Sequence, residues 1–476
     1  MHKSRPKKWH KSHKSRPKKW NESRKTRPKK WNKIYNNMFY RKIEKTLKEW
    51  KNDANRKPLI IKGCRQCGKT SSVLDFVKKS YSYYVYIDFH KQPKLCEIFA
   101  DSLDIDYIVM SITAAIPGAI FEPGETCLVL DEIQECPRAR AALKFFKLDG
   151  RFDVICTGSL LGVNGYNNDG IASIPVGFEE IIDMYPMDFE EWLLANEVPA
   201  TAIDFLKQSL RNETPVPNSL HNRMRELLLQ YTCVGGMPEV VSVFCDTHDM
   251  NKVKALQNAI ITEYEMDMVK YASAQDKSRI RECFESIPRQ LSKDNKKFTY
   301  STVRKGAKSK DYISSLQWIE DAGIVRRCHN LTITELPLDG NSIQDCFKVY
   351  MADTGLFVGM LEDGTQWDIL KGNLFGYKGA IYENLLADIF GKMGRKLYYF
   401  QKTDSLEIDF IIRYNGKCTP VECKARTGNA KSLRTMLSHP EKYHIDSAFK
   451  MGDYNIGREG AVLTLPFYMA FLLKEC

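Results

Sequence analysis

The segment Gly63 to Thr70, GCRQCGKT, constrains this chain more than any other stretch. It fits G-x-x-x-x-G-K-[ST] directly after the apolar run Leu59-Ile60-Ile61 and before a helix-compatible stretch, Thr70 to Lys79. Strand, glycine-hinged loop and helix in that order make a cup for phosphate. Gly63 and Gly68 are expected to take backbone angles closed to other residues, so that successive N–H groups turn inward around an anion. The following helix aims its free N–H groups and the positive end of its dipole at the same point. The spacing assigns Lys69 to the β- and γ-phosphates and the Thr70 hydroxyl to Mg²⁺. Cys64, Arg65, Gln66, Cys67 and Ser71 complete the expected ATP-binding cradle.

Such a loop needs a partner, and Thr126 to Gln134, TCLVLDEIQ, supplies it. Cys127 to Leu130 reads as a strand buried on both faces. It ends in Asp131, placed to hold Mg²⁺, and Glu132, placed to polarise a water. A surface pair of acids is the competing reading. A third strand, Phe152 to Cys156, runs into Thr157-Gly158-Ser159, where Ser159 or Thr157 is expected to sense the γ-phosphate. Tyr83 to Asp88 is a further strand, and the βαβα alternation implies a doubly wound α/β domain around a parallel sheet.

A chain of 476 residues has room for several domains. With 43% apolar and 27% charged residues it reads as globular, and no apolar run approaches the ~18 residues of a membrane span. No apolar stretch follows the basic N-terminus, and fourteen cysteines scattered through apolar segments suit a reducing cytoplasm. The net charge of +12 divides unevenly: residues 1–33 carry eleven Lys, four Arg and one Glu, or +14, leaving −2 for the rest. That tail repeats with a period of 11, in Ser4 to Trp9, Ser15 to Trp20 and Thr26 to Trp31. Its composition cannot bury a core. It reads as a polycationic arm for nucleic acid, a solvated extension, or an upstream extension of a frame that starts at Met38. Met38 opens an amphipathic segment with Phe39, Ile43, Leu47 and Trp50 on one helical face.

Residues 203–275 are rich in helical periodicity and read as a lid and linker. Helices are expected over Ile280 to Leu291 and Asp311 to Ala322, then Gly323 as a cap and a strand from Ile324 to Cys328, a winged-helix pattern. Residues 286–330 hold ten Lys or Arg against four Asp or Glu, a local +6 that suits DNA docking or, equally, interdomain packing. Further on, strands are expected at Ile408 to Ile412 and Pro420 to Lys424. Alternation puts Glu422 and Lys424 on one face, within reach of Asp409 on the neighbouring strand. Glu383, in the helical segment Ala380 to Phe390, adds a carboxylate. Three acids and a lysine are the parts needed to hold Mg²⁺ or Mn²⁺ and activate water, with Asp409 and Glu422 as ligands. Cys64-Arg65-Gln66-Cys67, the one C-x-x-C, falls inside the phosphate loop, where a disulfide would distort the cradle.

GCRQCGKT, LVLDEIQ, CTGS and Met184 to Trp192, MYPMDFEEW, together resemble an AAA-type ATPase family of bacteria and archaea. Tyr231 to Pro238, YTCVGGMP, and Lys348 to Leu356, KVYMADTGL, are similar to its landmarks over nearly the whole chain from residue 38. The resemblance implies an ATPase module followed by helices and a C-terminal domain of long-uncharacterised function. Many relatives carry a Gly-Arg pair where this chain reads Pro175-Val176-Gly177-Phe178, so no arginine is assigned to complete the site in trans. Asp409 with Glu422-Cys423-Lys424 resembles the PD-(D/E)xK nuclease core. The expected order is a basic tail (1–37), the ATPase domain (38–202), a helical lid (203–277), a winged helix (278–345) and an α/β restriction-endonuclease-like domain (346–476). The expected activity is Mg²⁺-dependent ATP hydrolysis coupled to DNA binding or cleavage, with RNA as the alternative substrate, no membrane partner and homo-oligomers as an option. The alternative is a nucleotide-switched scaffold whose nuclease-like domain binds without cutting.

Overall fold

The computed structural model describes residues 39–159, 176–271, 276–373, 377–403, 406–424 and 430–474. The basic repeat, Met38 and Pro175 lie outside these residues.

Five strands build the first sheet: β1 (Leu59–Lys62), β2 (Tyr83–Asp88), β3 (Thr126–Asp131), β4 (Asp153–Gly158) and β5 (Glu180–Asp183). Their order is β2-β3-β4-β1-β5 and every pair is parallel. Side chains alternate between faces, as the strand period of two requires. Ile60, Leu128, Leu130, Val154 and Cys156 pack into one core, and Leu59, Ile61, Cys127, Val129 and Ile155 into another. Helices cover both faces, so the continuous apolar runs of β1 and β3 need no polar side. The amphipathic segment forms a helix at Ile43–Asn52, with Leu47 and Trp50 buried against the second of these cores.

Four helices follow from Ala200–Asn212 to Met250–Tyr271. They are joined to the C-terminal half by a buried ionic knot. Lys392 Nζ lies 2.8 Å from Asp388 and 3.1 Å from Asp353, its side chain wholly enclosed. It also donates to the Tyr231 hydroxyl and the Met187 carbonyl, while Asp353 accepts from the Gly236 N–H at 2.7 Å. Gly235, Gly236 and Gly355 let the backbones meet there: a Cβ on Gly236 would stand 2.0 Å from the Met187 oxygen.

The second sheet has eight strands: β6 (Val325–Leu331), β7 (Ser342–Met351), β8 (Leu397–Thr403), β9 (Leu406–Tyr414), β10 (Lys417–Lys424), β11 (Ala448–Gly452), β12 (Gly457–Glu459) and β13 (Val462–Pro466). Their order is β12-β13-β11-β10-β9-β8-β6-β7. Helices Asp276–Leu291 and Ser309–Asp321 precede the β6–β7 hairpin. This hairpin is not free-standing, because β6 pairs in parallel with β8. The boundary expected at 345/346 therefore falls inside β7, in a sheet that spans both segments. Among the described residues no helix is long and apolar enough to cross a membrane.

Candidate functional site

The phosphate loop leaves β1 and enters the helix Lys69–Ser80. Its glycines act differently from one another. Gly68 has φ +96°, as expected, but Gly63 has no positive φ. What Gly63 needs is room, since a Cβ there would stand 2.1 Å from the Met184 carbonyl oxygen. The second left-handed position is Gln66, at φ +61°. A non-glycine residue held in that region is strained, and such strain persists only where the surroundings impose it. The helix Met250–Tyr271 imposes it: Gln66 bonds Glu263, Arg65 pairs with Asp267 at 2.5 Å, and the Tyr264 hydroxyl donates to the Arg65 carbonyl at 3.1 Å. Arg41 closes the other side, donating to the carbonyls of Cys67 (2.8 Å) and Tyr185 (2.6 Å). Lys69 is folded over its own loop, with Nζ 2.9 Å from the Gly63 and Cys64 carbonyls.

Cys64 and Cys67 are buried and Ser71 is exposed. The two cysteines therefore offer the cradle backbone rather than side chains. A hydrogen bond from Cys64, then the charges of Lys69 and Arg41, hold the Cys67 thiol down to about 6 against its burial.

β4 lies between β1 and β3, which brings the ends of all three strands together. Thr70 Oγ1 donates to both Asp131 oxygens, at 3.1 and 3.0 Å. Asp131 also accepts from Thr157 and, at 2.7 Å, from the Tyr86 hydroxyl. Glu132 is left-handed at φ 53°, and its carboxylate accepts from Ser159 at 3.1 Å and from Gln134. Thr157 and Ser159 thus divide their work, one on each acid. Two hard oxygen donors at the helix start, Thr70 and Asp131, fit Mg²⁺. Tyr86, Arg41 and the Met250–Tyr271 clamp were not legible, because an isolated Tyr or Arg carries no spacing signal.

The second constellation gathers around helix Lys378–Lys392, β7, β9 and β10. Glu422 lies one residue beyond the β9–β10 pair Val421–Phe410, which puts it beside Asp409. The Cys423 N–H donates to Asp409 at 2.7 Å, and Glu422 pairs with Lys424. Glu383 accepts from the Tyr350 hydroxyl at 3.1 Å. Two lysines unforeseen in this role hold Glu383: Lys296 at 2.7 Å, and Lys348 at 3.6 Å, which also reaches Glu407 at 2.6 Å. Burial resists ionisation of Glu383, yet Lys348 and then Lys296 keep its carboxyl below the usual range. Burial, then the charges of Glu383 and Glu422, push Asp409 well above it. Burial likewise raises Glu422, whose Oε2 has no hydrogen-bond partner among the described residues. Among the described residues no three His, Cys, Asp or Glu converge closely enough to hold a metal ion.

Residues 55–193 match the family model of the AAA domain. Residues 225–366 and 378–468 match two domains of unknown function, DUF8612 and DUF4143. Comparison with curated proteins returned no match. Among solved structures, the chain is similar to a Walker-type ATPase of Pyrococcus abyssi, at 14% identity and TM-score 0.39 over 68% of this chain and 96% of that one. It is also similar to the ORC2 protein of Aeropyrum pernix in ADPNP–ADP complexes, at 13% identity and TM-score 0.34 over 70% and 91%. The ORC1 protein of the same organism, in complex with DNA, matches at 10% identity and TM-score 0.26 over 70% and 90%.

Proposed function

We propose that this chain binds MgATP in the cradle around Lys69, hydrolyses it, and uses the cycle to act on a nucleic acid through its C-terminal half. One observation carries the reading: the Thr70 hydroxyl lies 3.0 Å from Asp131, with Glu132 and its partner Ser159 beside them, at the ends of neighbouring strands. Lys69 neutralises phosphate charge, Thr70 and Asp131 hold the cation, and Glu132 orients the attacking water. Mg²⁺, when bound, offsets charge on the phosphate oxygens. Isothermal calorimetry with MgATP and a phosphate-release assay test this in the whole chain and in Lys69→Ala. Binding and turnover should vanish in the variant. Unchanged turnover would overturn the assignment.

The acidic partner of this engine is DNA, with RNA as the alternative, docked on the +6 stretch 286–330 in a winged-helix role. This is a cytoplasmic activity, and homo-oligomers remain part of the proposal. For the constellation of Glu383, Asp409, Glu422 and Lys424, two readings compete. The unpartnered Glu422 oxygen favours a PD-(D/E)xK nuclease that takes Mg²⁺ or Mn²⁺ on Asp409 and Glu422. Ammonium groups of Lys296 and Lys348 already on Glu383 favour a nucleotide-switched scaffold that binds without cutting. Incubation with Mg²⁺ or Mn²⁺, ATP and mixed DNA and RNA separates them. Cleaved ends that disappear in Glu422→Ala support the nuclease, and ATP-dependent binding without cleavage supports the scaffold.

A further inference from the structure

A cleft of 590 Å³ opens beside the phosphate loop, walled by Gly63, Cys64 and Ser159 on one side and by Arg326 of β6 on another. The two walls are tied together by close backbone contacts. Gly323, just before β6, lies so near the loop that a Cβ on it would stand 3.3 Å from the Cys64 nitrogen. On the far side Met184, against which Gly63 packs, is followed by Tyr185. The Arg326 guanidinium lies over the Tyr185 ring, 4.7 Å from its centroid. Gly391 makes space for it: a Cβ there would meet Arg326 Nε at 2.3 Å.

The other cations of this cleft are engaged. Lys62 faces Asp183 at 3.3 Å, Arg327 pairs with Glu320, and Lys396 with Asp339 at 2.8 Å. Arg395 donates to the carbonyls of Arg413 and Leu473 at 2.6 and 2.8 Å. Arg326 differs. It rests on a ring, pairs with no carboxylate among the described residues, and its enclosed Nε makes no hydrogen bond there. Arg326 also reaches the Tyr185 hydroxyl, so the aromatic residue fixes the guanidinium in direction while its fork keeps further donors for a phosphate oxygen.

We propose that Arg326 binds the terminal phosphate of the nucleotide from within the same chain. This rests on the reading that GCRQCGKT holds ATP. The loop's first two residues and Ser159 share the cleft with Arg326, and a third phosphate extending past them would enter it. A diphosphate leaves that space empty and a triphosphate fills it. β6 lies between β7 and β8, and β7 carries Lys348 and Tyr350. A contact that exists only with the third phosphate therefore pulls on the sheet that holds the C-terminal acids.

The test uses the full chain, with MgADP and a non-hydrolysable Mg-triphosphate analogue titrated by calorimetry. In Arg326→Ala, diphosphate affinity should hold within about threefold while triphosphate affinity falls about tenfold or more. Turnover should drop on the order of 10²-fold or beyond, with partial recovery in Arg326→Lys. An unchanged triphosphate preference with unchanged turnover overturns the proposal. Lys69→Ala separates the two claims: if it leaves binding of both nucleotides intact, the cradle reading fails, whatever Arg326 does. If Arg326→Ala does not fold, the wild-type chain still decides. Modification of Arg326 by phenylglyoxal, followed by peptide mass spectrometry, should be blocked by the triphosphate analogue and not by ADP. Equal protection, or none, counts against the assignment.

Discussion

Replacing Lys348 with Met keeps the length and most of the stem of a fully enclosed side chain while removing its charge. The ammonium lies 2.6 Å from Glu407 and 3.6 Å from Glu383. At an effective dielectric near 20, these separations correspond to about 6 and about 5 kcal/mol of attraction. Returning the ammonium's lost hydration offsets several kcal/mol of that. What remains is the penalty of Glu407 left without its cation and Glu383 left with Lys296 alone, and breaking a buried pair in this way costs about 3–5 kcal/mol. Acid should relieve it. In the intact chain Glu383 sits below the usual carboxylate range, so its stabilisation is present above that range and lost on acidification. Without Lys348, Glu383 loses the larger of the two charges that hold its carboxyl down, and the folded form gains by taking a proton as pH falls. The deficit relative to wild type should therefore be largest near pH 8 and shrink steadily toward pH 5. Urea denaturation followed by far-ultraviolet circular dichroism at several pH values measures it. A deficit under about 1 kcal/mol at pH 8, or one that does not shrink in acid, refutes the reasoning.

Gly63→Ala places a methyl group against backbone, 2.1 Å from the Met184 oxygen, so the loop and the segment just after β5 must separate. MgATP binding should fall at least tenfold by calorimetry, with the thermal midpoint lowered as well. Lys392→Met strands Asp353 and Asp388 in the knot and should lose about 3–5 kcal/mol in urea melts at pH 8. Burial already raises Asp388 to about 6 against the pull of Lys392. Asp388→Asn should then recover part of the loss in the double variant.

Four strands of the first sheet, β1 to β4, were legible because their evidence is local, whereas β5 was not foreseen. Leu59 to Ile61 and Cys127 to Leu130 are apolar on both faces and end in Gly63 and Asp131, and each signal lies within a few residues. Helix limits moved by only a few residues, as with Ser309–Asp321 against the expected Asp311 to Ala322, since end turns carry weak signals. β7 was missed because its hairpin partner β6 also pairs with β8, a distant segment. Lys348 shows the same limit at the site. A lysine between Phe347 and Val349 reads as a solvent-facing strand residue. Its burial follows from Glu383 and Glu407, brought in from a helix and a strand far along the chain. Gln66 was expected in the cradle, but its left-handed angle was not, for a related reason: that angle is held by Glu263 on another helix, not by its own chemistry.

The Lys392 knot bears on how this molecule can be taken apart. Its members come from Met187, Tyr231, Gly236, Asp353 and Asp388, so a stop codon after residue 202 strips away every group but one. A fragment starting at 346 keeps the lysine and both acids yet opens them to water, and it begins partway along β7. Genetic dissection into an engine and a tool would therefore compare broken pieces, and point variants in the intact polypeptide are the sounder route to separating the two roles.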